Sequence, residues 1–185
     1  MPTTTGAGPT LGIFASDRGP GDPERMSLMT QAGTLFARRG ARLLCLSEKG
    51  ATPLPLLTAA RTAGGTVSLL ADEIPSLPPT MSDISVEVVS DRSARHAQLA
   101  DASQVLVALP GSLASVTALF GAWASTRTKP KPVVMLNRHN AFEVVRGFAG
   151  DVLSHAVAGY DRNVQFADSV EDLWNKITWV LEQRR

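Results

Sequence analysis

Short apolar runs alternate with amphipathic stretches along this chain, and this alternation constrains its fold more than any other feature. A short, continuously apolar run is typical of a strand buried on both faces of a parallel sheet, whereas an amphipathic stretch is typical of a helix that covers the sheet. The pattern predicts an α/β protein with a doubly wound parallel sheet of six or seven strands and helices on both faces. The predicted strands are Leu11–Ser16, Arg42–Leu46, Thr66–Leu70, Val86–Val89, a strand around Val107, and Val133–Leu136.

Residues typical of helix ends mark the helices between these strands. Pro23 stands in the first turn of a helix predicted from Pro23 to Arg39, and Gly40 follows its last turn. The Pro- and Ser-rich segment 74–82 predicts an irregular loop. The other predicted helices are Pro53–Ala63, Asp91–Leu99, Ser112–Ser125 and a C-terminal helix capped by Ser169.

Composition limits the classes of protein to which the chain can belong. Its 185 residues, 44% of them hydrophobic, fit one domain, residues 11–185, preceded by a flexible tail, residues 1–10. Eighteen Lys and Arg balance 17 Asp and Glu, so no basic excess favours nucleic acid. The single cysteine, Cys45, and three scattered histidines give no metal-ligand spacing, and no apolar run is long enough to span a bilayer. We therefore expect a cytoplasmic protein with no metal, cofactor, nucleic-acid or membrane partner.

One segment, residues 101–118, has the pattern of a strand, a turn and a helix that binds an anion. The apolar run Val105–Leu109 predicts a buried strand, and Pro110-Gly111 turns the chain into a helix that begins with small and hydroxylated residues. Such a helix start presents free N–H groups and a partial positive charge, which suits a phosphate. The candidate binding residues here are Gly111, Ser112, Ala114 and Ser115, although the two serines are equally good helix caps.

Several segments between residues 12 and 173 match the patterns of a known family. Residues 12–23 are similar to VFCGSSxGxxP, residues 132–137 to PVVLLN, and residues 166–173 to VxDTPEEL. Arg95-His96 stands where the family has an Arg-Lys pair, and residues 110–118 stand where it has PGGxGTxxE. On these segments the chain resembles the LOG ("lonely guy") family, also labelled lysine decarboxylase-like.

This resemblance implies a Rossmann-like fold and a nucleotide site. LOG proteins are phosphoribohydrolases that release a cytokinin base from its riboside 5′-monophosphate, and they are typically homodimers or larger assemblies. The resemblance places Ser16, Arg95 and His96 against the nucleotide, with Arg95 at the position of the catalytic arginine.

Two departures from the LOG pattern concern the chemistry. The family's glycine-rich loop is replaced by Leu46–Leu54, in which Glu48 brings negative charge towards a phosphate and Lys49 partly offsets it. Ala118 stands in place of the family's glutamate, and alanine can neither activate a water nor stabilise an oxocarbenium-like sugar. The candidate substitute acids are Glu143, Asp17 and Asp22.

Three functions follow as alternatives. The first is a nucleotide or small-molecule binding protein that has lost efficient hydrolysis. The second is an active hydrolase or transferase that cleaves the N-glycosidic bond of a nucleoside 5′-monophosphate with a relocated acid. The third is a non-catalytic subunit that pairs with an intact paralogue. For the first, which we prefer, we expect a nucleotide-like ligand and a homodimer.

Overall fold

The computed structural model of the protein describes residues 7–16, 23–125, 130–156 and 158–185. The strands in these residues are β1 (Thr10–Phe14), β2 (Arg42–Ser47), β3 (Thr66–Ala71), β4 (Ser85–Val88), β5 (Val105–Ala108), β6 (Val133–Leu136) and β7 (Val164–Ala167). They form one sheet in the order β4-β3-β2-β1-β5-β6-β7, and every neighbouring pair is parallel. The predicted doubly wound α/β fold is therefore confirmed.

Helices connect the strands. They are α1 (Pro23–Arg38), α2 (Leu54–Thr62), α3 (Arg92–Ala102), α4 (Leu113–Ala124), α5 (Glu143–Phe148), α6 (Ser154–Ala156), α7 (Tyr160–Asn163) and α8 (Val170–Glu182), with a π-helical segment (Ala149–Leu153) between α5 and α6. Each parallel connection needs a crossover, because a tight turn cannot bring the chain back to the same edge of the sheet. Between β3 and β4 the crossover is a loop that contains one short 3₁₀ turn and none of these helices. None of the described helices is long and apolar enough to cross a membrane.

The hydrophobic core lies in two layers, one on each face of the sheet. On β2, Leu43 and Cys45 belong to the layer that includes side chains of α1, α2 and α8. Leu44, between them, belongs to the layer that includes side chains of α3 and α4. Successive residues of a strand point to opposite faces, so a strand that is apolar at every position is buried on both. Burial also raises the pKa of the Cys45 thiol to about 12, which suits a packing residue better than a nucleophile.

The predicted elements agree with the observed ones to within one or two residues at most ends, with one strand and several short helices added. The predicted cap is present, since the Ser169 hydroxyl accepts a hydrogen bond from the Asp172 N–H at 3.1 Å. The predicted irregular loop contains only the short 3₁₀ turn Pro79–Met81. Strand β7 and the helices α5–α7 were not located from the sequence, because their short segments lack a clear period.

Candidate functional site

A cavity lies where the strand order reverses, between β1 and β5. The carboxyl ends of parallel strands share one edge of the sheet, and ligands of doubly wound proteins bind outside this edge at the reversal. The cavity has a volume of about 120 Å³, which leaves room for a phosphate and a group next to it. Its lining comes from the ends of β1, β2 and β3 and from α3 and α4: Ile13, Phe14, Ala15, Ser16, Leu46, Glu48, Lys49, Ala51, Asp72, Arg92, Arg95, Ser112, Ala114, Ser115 and Ala118.

The start of α4 forms one wall of this cavity. Ser112 is the N-cap residue: its hydroxyl accepts a hydrogen bond from the Ser115 N–H at 3.3 Å, and the Ser115 hydroxyl donates to the Ser112 carbonyl at 2.8 Å. A Cβ on Gly111 would lie 2.4 Å from the Ser115 Oγ and 3.4 Å from the Ser16 backbone nitrogen, so a side chain here would displace the Ser115 hydroxyl. The remaining first-turn N–H groups of a helix have no intrahelical partner and favour a negative charge.

Arg95 on α3 forms an ion pair with a carboxylate of the protein itself. Its Nε and Nη2 lie 2.9 and 2.8 Å from the Glu48 Oε1, and its side chain is only 3% exposed. Its Nη1 donates to the carbonyls of Val89 and Ser90 at 2.6 and 3.2 Å. The Nε2 of His96, the next residue, lies 2.7 Å from the same Glu48 oxygen. Glu48 therefore fills the guanidinium fork that the family resemblance assigns to the nucleotide.

These contacts keep Glu48 ionised. Burial by itself raises the pKa of Glu48, but the hydrogen bonds and positive charges supplied by His96 and Arg95 outweigh it and lower this pKa to about 2. A carboxyl group with so low a pKa is unprotonated at neutral pH, so Glu48 cannot act there as a general acid.

The loop after β2 makes a tight turn in place of a glycine-rich cradle. Glu48 and Ala51 pair through two backbone hydrogen bonds of 2.9 and 3.2 Å, and Lys49 and Gly50 between them have φ values of 50° and 72°. Positive φ at both central residues is the mark of a type I′ hairpin turn. The Lys49 N–H donates to the Asp72 Oδ2 at 2.8 Å, so the turn is tied to the end of β3.

Glu143 is the one candidate substitute acid that the structure describes, and it does not line this cavity. The Glu143 Oε2 accepts a hydrogen bond from the Asn137 amide at 2.8 Å. Asp17 and Asp22 lie outside the described residues. Ala118 is on the wall, 4% exposed, at the position of the family's glutamate.

The structure brings most of the predicted binding residues together. Ser16, Arg95, Ser112, Ala114 and Ser115 all line the cavity. Gly111 borders it through Ser16 and Ser115, and His96 stands behind it against Glu48.

Two further charged residues line the cavity without having been predicted from the sequence. Asp72 follows β3 and Arg92 begins α3. The sequence signal for Asp72 is its position two residues after the predicted strand Thr66–Leu70, at the ligand-binding edge of the sheet. Arg92 had no such signal, because exposed arginines in a first helical turn are common.

Fold and site together define a Rossmann-like α/β protein with a cleft at its switch point that is lined by both charged and apolar side chains. No family profile matches the sequence, and no curated protein matches it. Among solved structures, a molybdenum cofactor binding protein from the phototrophic bacterium Rippkaea orientalis has a TM-score of 0.69 at 19% identity, over 94% of this chain and 97% of that one. The Moco carrier protein of Chlamydomonas reinhardtii has a TM-score of 0.66 at 21% identity, over 96% and 99% of the two chains.

A third solved structure shares the fold over a smaller part of its own chain. DNA processing protein A from Streptococcus pneumoniae has a TM-score of 0.56 at 12% identity, over 90% of this chain and 61% of that one. Identities this low establish a common Rossmann-like fold. Membership of the LOG family stays a resemblance in sequence pattern.

Proposed function

We propose that this protein binds a small phosphorylated, nucleotide-like molecule in the switch-point cleft and does not cleave it efficiently. The observation that carries the proposal is the pairing of the α4 N-terminus with the cationic side chains of Arg92 and Lys49 in one cavity. A phosphate gains both from the backbone N–H groups and from the cations. The cavity volume of about 120 Å³ suits a phosphate with an adjoining sugar, the heterocycle then lying towards the open side.

The acids of the cavity support binding rather than hydrolysis. The carboxylates among its described lining residues are Glu48 and Asp72. Glu48 is ion-paired with a pKa of about 2, and Asp72 accepts a hydrogen bond from the Lys49 backbone. Cleavage of an N-glycosidic bond needs a general acid or base, which is worth about 10²–10⁴ in rate. Ala118 supplies none.

The fold neighbours favour a binding or carrier role. Two of them are named for binding or carrying the molybdenum cofactor. That cofactor and a nucleoside 5′-monophosphate are both phosphorylated heterocycles, so either has the chemistry that the cleft requires. A cytoplasmic location, expected from the sequence, belongs to the same proposal.

The test measures binding and chemistry separately. The purified full chain is titrated by calorimetry with AMP, GMP, CMP, UMP, isopentenyladenosine 5′-monophosphate and the molybdenum cofactor, and free base is measured by chromatography. We expect binding of at least one of these compounds without base release above the rate in buffer. Base release that scales with protein concentration would favour the active-hydrolase alternative, and failure of every compound to bind would refute the proposal.

Substitution of a cleft cation tests where the phosphate binds. We expect Arg92→Ala to weaken binding of the best of these ligands by about tenfold or more, because a hydrogen bond to a charged group contributes about 1.5–3 kcal/mol. The control is Arg42→Ala, which removes an exposed arginine from the start of β2, at the opposite edge of the sheet. Equal affinities of the two variants would refute a phosphate site beside Arg92.

We also propose that the protein forms a homodimer, as the sequence led us to expect. The supporting observation is an apolar groove of about 400 Å³ beside α4, lined largely by Phe120, Trp123, Phe148, Leu153 and Tyr160. Helix α4 carries no charged residue, and Phe120 and Phe148 are 37% and 53% exposed. Exposed apolar patches of this kind mark contact surfaces.

A further inference from the structure

The two oxygens of Glu48 have different surroundings. Oε1 takes all of the contacts with Arg95 and His96, at 2.7–2.9 Å. Oε2 accepts no hydrogen bond from any residue that the structure describes, although Glu48 lines the cavity and is 20% exposed. One oxygen therefore anchors the side chain and the other is left as an acceptor at the cavity wall.

The anchoring is strong enough to fix the direction of the carboxylate. Arg95 and His96 are 3% and 5% exposed in their side chains, and the second Arg95 branch is held by the carbonyls of Val89 and Ser90. Charge-assisted hydrogen bonds in such a buried setting are short and directional. Arg95 and His96 thus hold the Glu48 carboxylate in place at the cavity wall.

We propose that Glu48 is a specificity-determining residue of the cleft, whose Oε2 accepts a hydrogen bond from a donor group of the ligand, while Arg95 and His96 are its positioning residues. This inference rests on the proposed function. A carboxylate repels phosphate and attracts a hydroxyl or amino group, so the ligand is oriented with its phosphate at Arg92 and the α4 N-terminus and its donor at Glu48. The small cavity favours a sugar hydroxyl, the donor group nearest the phosphate.

Glu48→Gln tests this assignment because it inverts the hydrogen-bonding character of the wall. The guanidinium of Arg95 can only donate, so it binds the amide oxygen and leaves the amide NH₂ at the position of Oε2. The variant wall then presents a donor without a negative charge, to which a ligand hydroxyl can bind only as an acceptor and without the charge-assisted bond that the carboxylate offers. We expect affinity for AMP to fall by at least tenfold and affinity for inorganic phosphate to rise by a few fold, both measured by NMR titration of the full chain.

Two analogues identify the donor in the wild-type protein. 2′,3′-Dideoxy-AMP lacks the sugar hydroxyls, and IMP lacks the amino group of the base. We expect dideoxy-AMP to bind about as weakly to the wild type as AMP binds to Glu48→Gln, and IMP to bind like AMP. Weak binding of IMP alone would assign the donor to the base and keep the role of Glu48. Equal binding of all three nucleotides would overturn the inference.

Control variants separate this role from a structural one. Glu87→Gln changes the net charge equally at an exposed position of β4 and should leave both affinities unchanged. If Glu48→Gln does not fold, Glu48→Asp replaces it, because it keeps the charge but withdraws the acceptor by one methylene. We expect Glu48→Asp to lower the affinity for AMP without raising the affinity for inorganic phosphate. If a Glu48 variant changes the affinities for AMP and for inorganic phosphate in the same direction, the inference is overturned but the proposed function is not. Failure of the wild type to bind AMP, IMP and dideoxy-AMP overturns the inference, and failure to bind any compound of the calorimetric panel overturns the proposed function as well.

Discussion

Arg95 illustrates how the role of a residue depends on its neighbour. The family resemblance places this arginine against a nucleotide, but here a carboxylate from the loop after β2 occupies its donors. Removing one partner of a buried ion pair leaves the other charge unpaired, which costs more than the pair itself contributes. Because Glu48 stands in this loop, the donors of Arg95 that face it are occupied by the protein itself.

The ion pair predicts a specific loss of stability in acid. Glu48 has a pKa of about 2 in the folded protein and an ordinary value of 4.5, so its contribution is complete above pH 4.5 and is lost as the pH falls towards 2. At pH 7 we expect Glu48→Gln to lower the free energy of unfolding by on the order of 3 kcal/mol, and by much less at pH 2.5. Urea unfolding at both pH values measures this difference. For the control Glu87→Gln we expect a difference in free energy of unfolding from the wild type that does not change with pH. The same pH-independent difference for Glu48→Gln would contradict the stabilising role of the ion pair.

At the scale of elements, α3 and α4 approach closely where His96 faces Gly121. A Cβ on Gly121 would lie 2.7 Å from the His96 Nδ1. The imidazole is buried and its other nitrogen is bound to Glu48, so it has little freedom to move away. The packing of these two helices therefore sets the position of a side chain behind the cleft.

A pair of glycine substitutions tests this packing. Gly121→Ala should destabilise the protein by about 1–3 kcal/mol, because overpacking displaces the histidine ring, and should also weaken binding of a cleft ligand. Gly147→Ala, also within a helix, adds a methyl group with nothing within 4 Å, and should be neutral or stabilising by up to about 1 kcal/mol. Thermal unfolding and calorimetry of both variants measure these effects. Similar behaviour of the two would show that the helix contact has no influence on the cleft.

At the scale of the whole molecule, the strand order creates the cleft and the outer helices leave an apolar groove. The order β4-β3-β2-β1-β5-β6-β7 separates the connections that follow β1 and β5, which opens the sheet edge beside Ser16 and Ser112. The groove near Phe120 and Phe148 lies on α4 and α5, the side of the sheet that also carries α3. Helix α4 thus contributes both to the cleft, with its first turn, and to the groove, with its later turns.

The homodimer proposal is tested by charge placed in this groove. We expect sedimentation velocity to show a dimer for the wild type and a monomer for Phe148→Glu, since an unpaired carboxylate is costly to bury at an interface. Ile74→Glu is the control, because Ile74 is 86% exposed and does not line the groove. A monomeric wild type, or equal dissociation by both substitutions, would refute an interface at this groove.

Short-range sequence patterns are sufficient to predict the class of fold, most element positions and several residues that line the cleft. Short-range patterns indicate buried strands, helix caps and turns. The parallel sheet, the Ser169 cap and the start of α4 near Ser112 were therefore predictable. These features depend on residues only a few positions apart, for which period and capping chemistry are sufficient.

The pairing of the charged residues in the cleft cannot be predicted from such patterns. Glu48 and Arg95 are separated by 47 positions, and Lys49 and Asp72 by 23, so their contacts depend on strand order and helix packing. A pattern places each residue at the correct edge of the sheet, but which donor meets which acceptor depends on distances of a few ångströms between elements. The family resemblance accordingly implies that Arg95 lies at the nucleotide, whereas its ion pair with Glu48 is seen only in the folded chain.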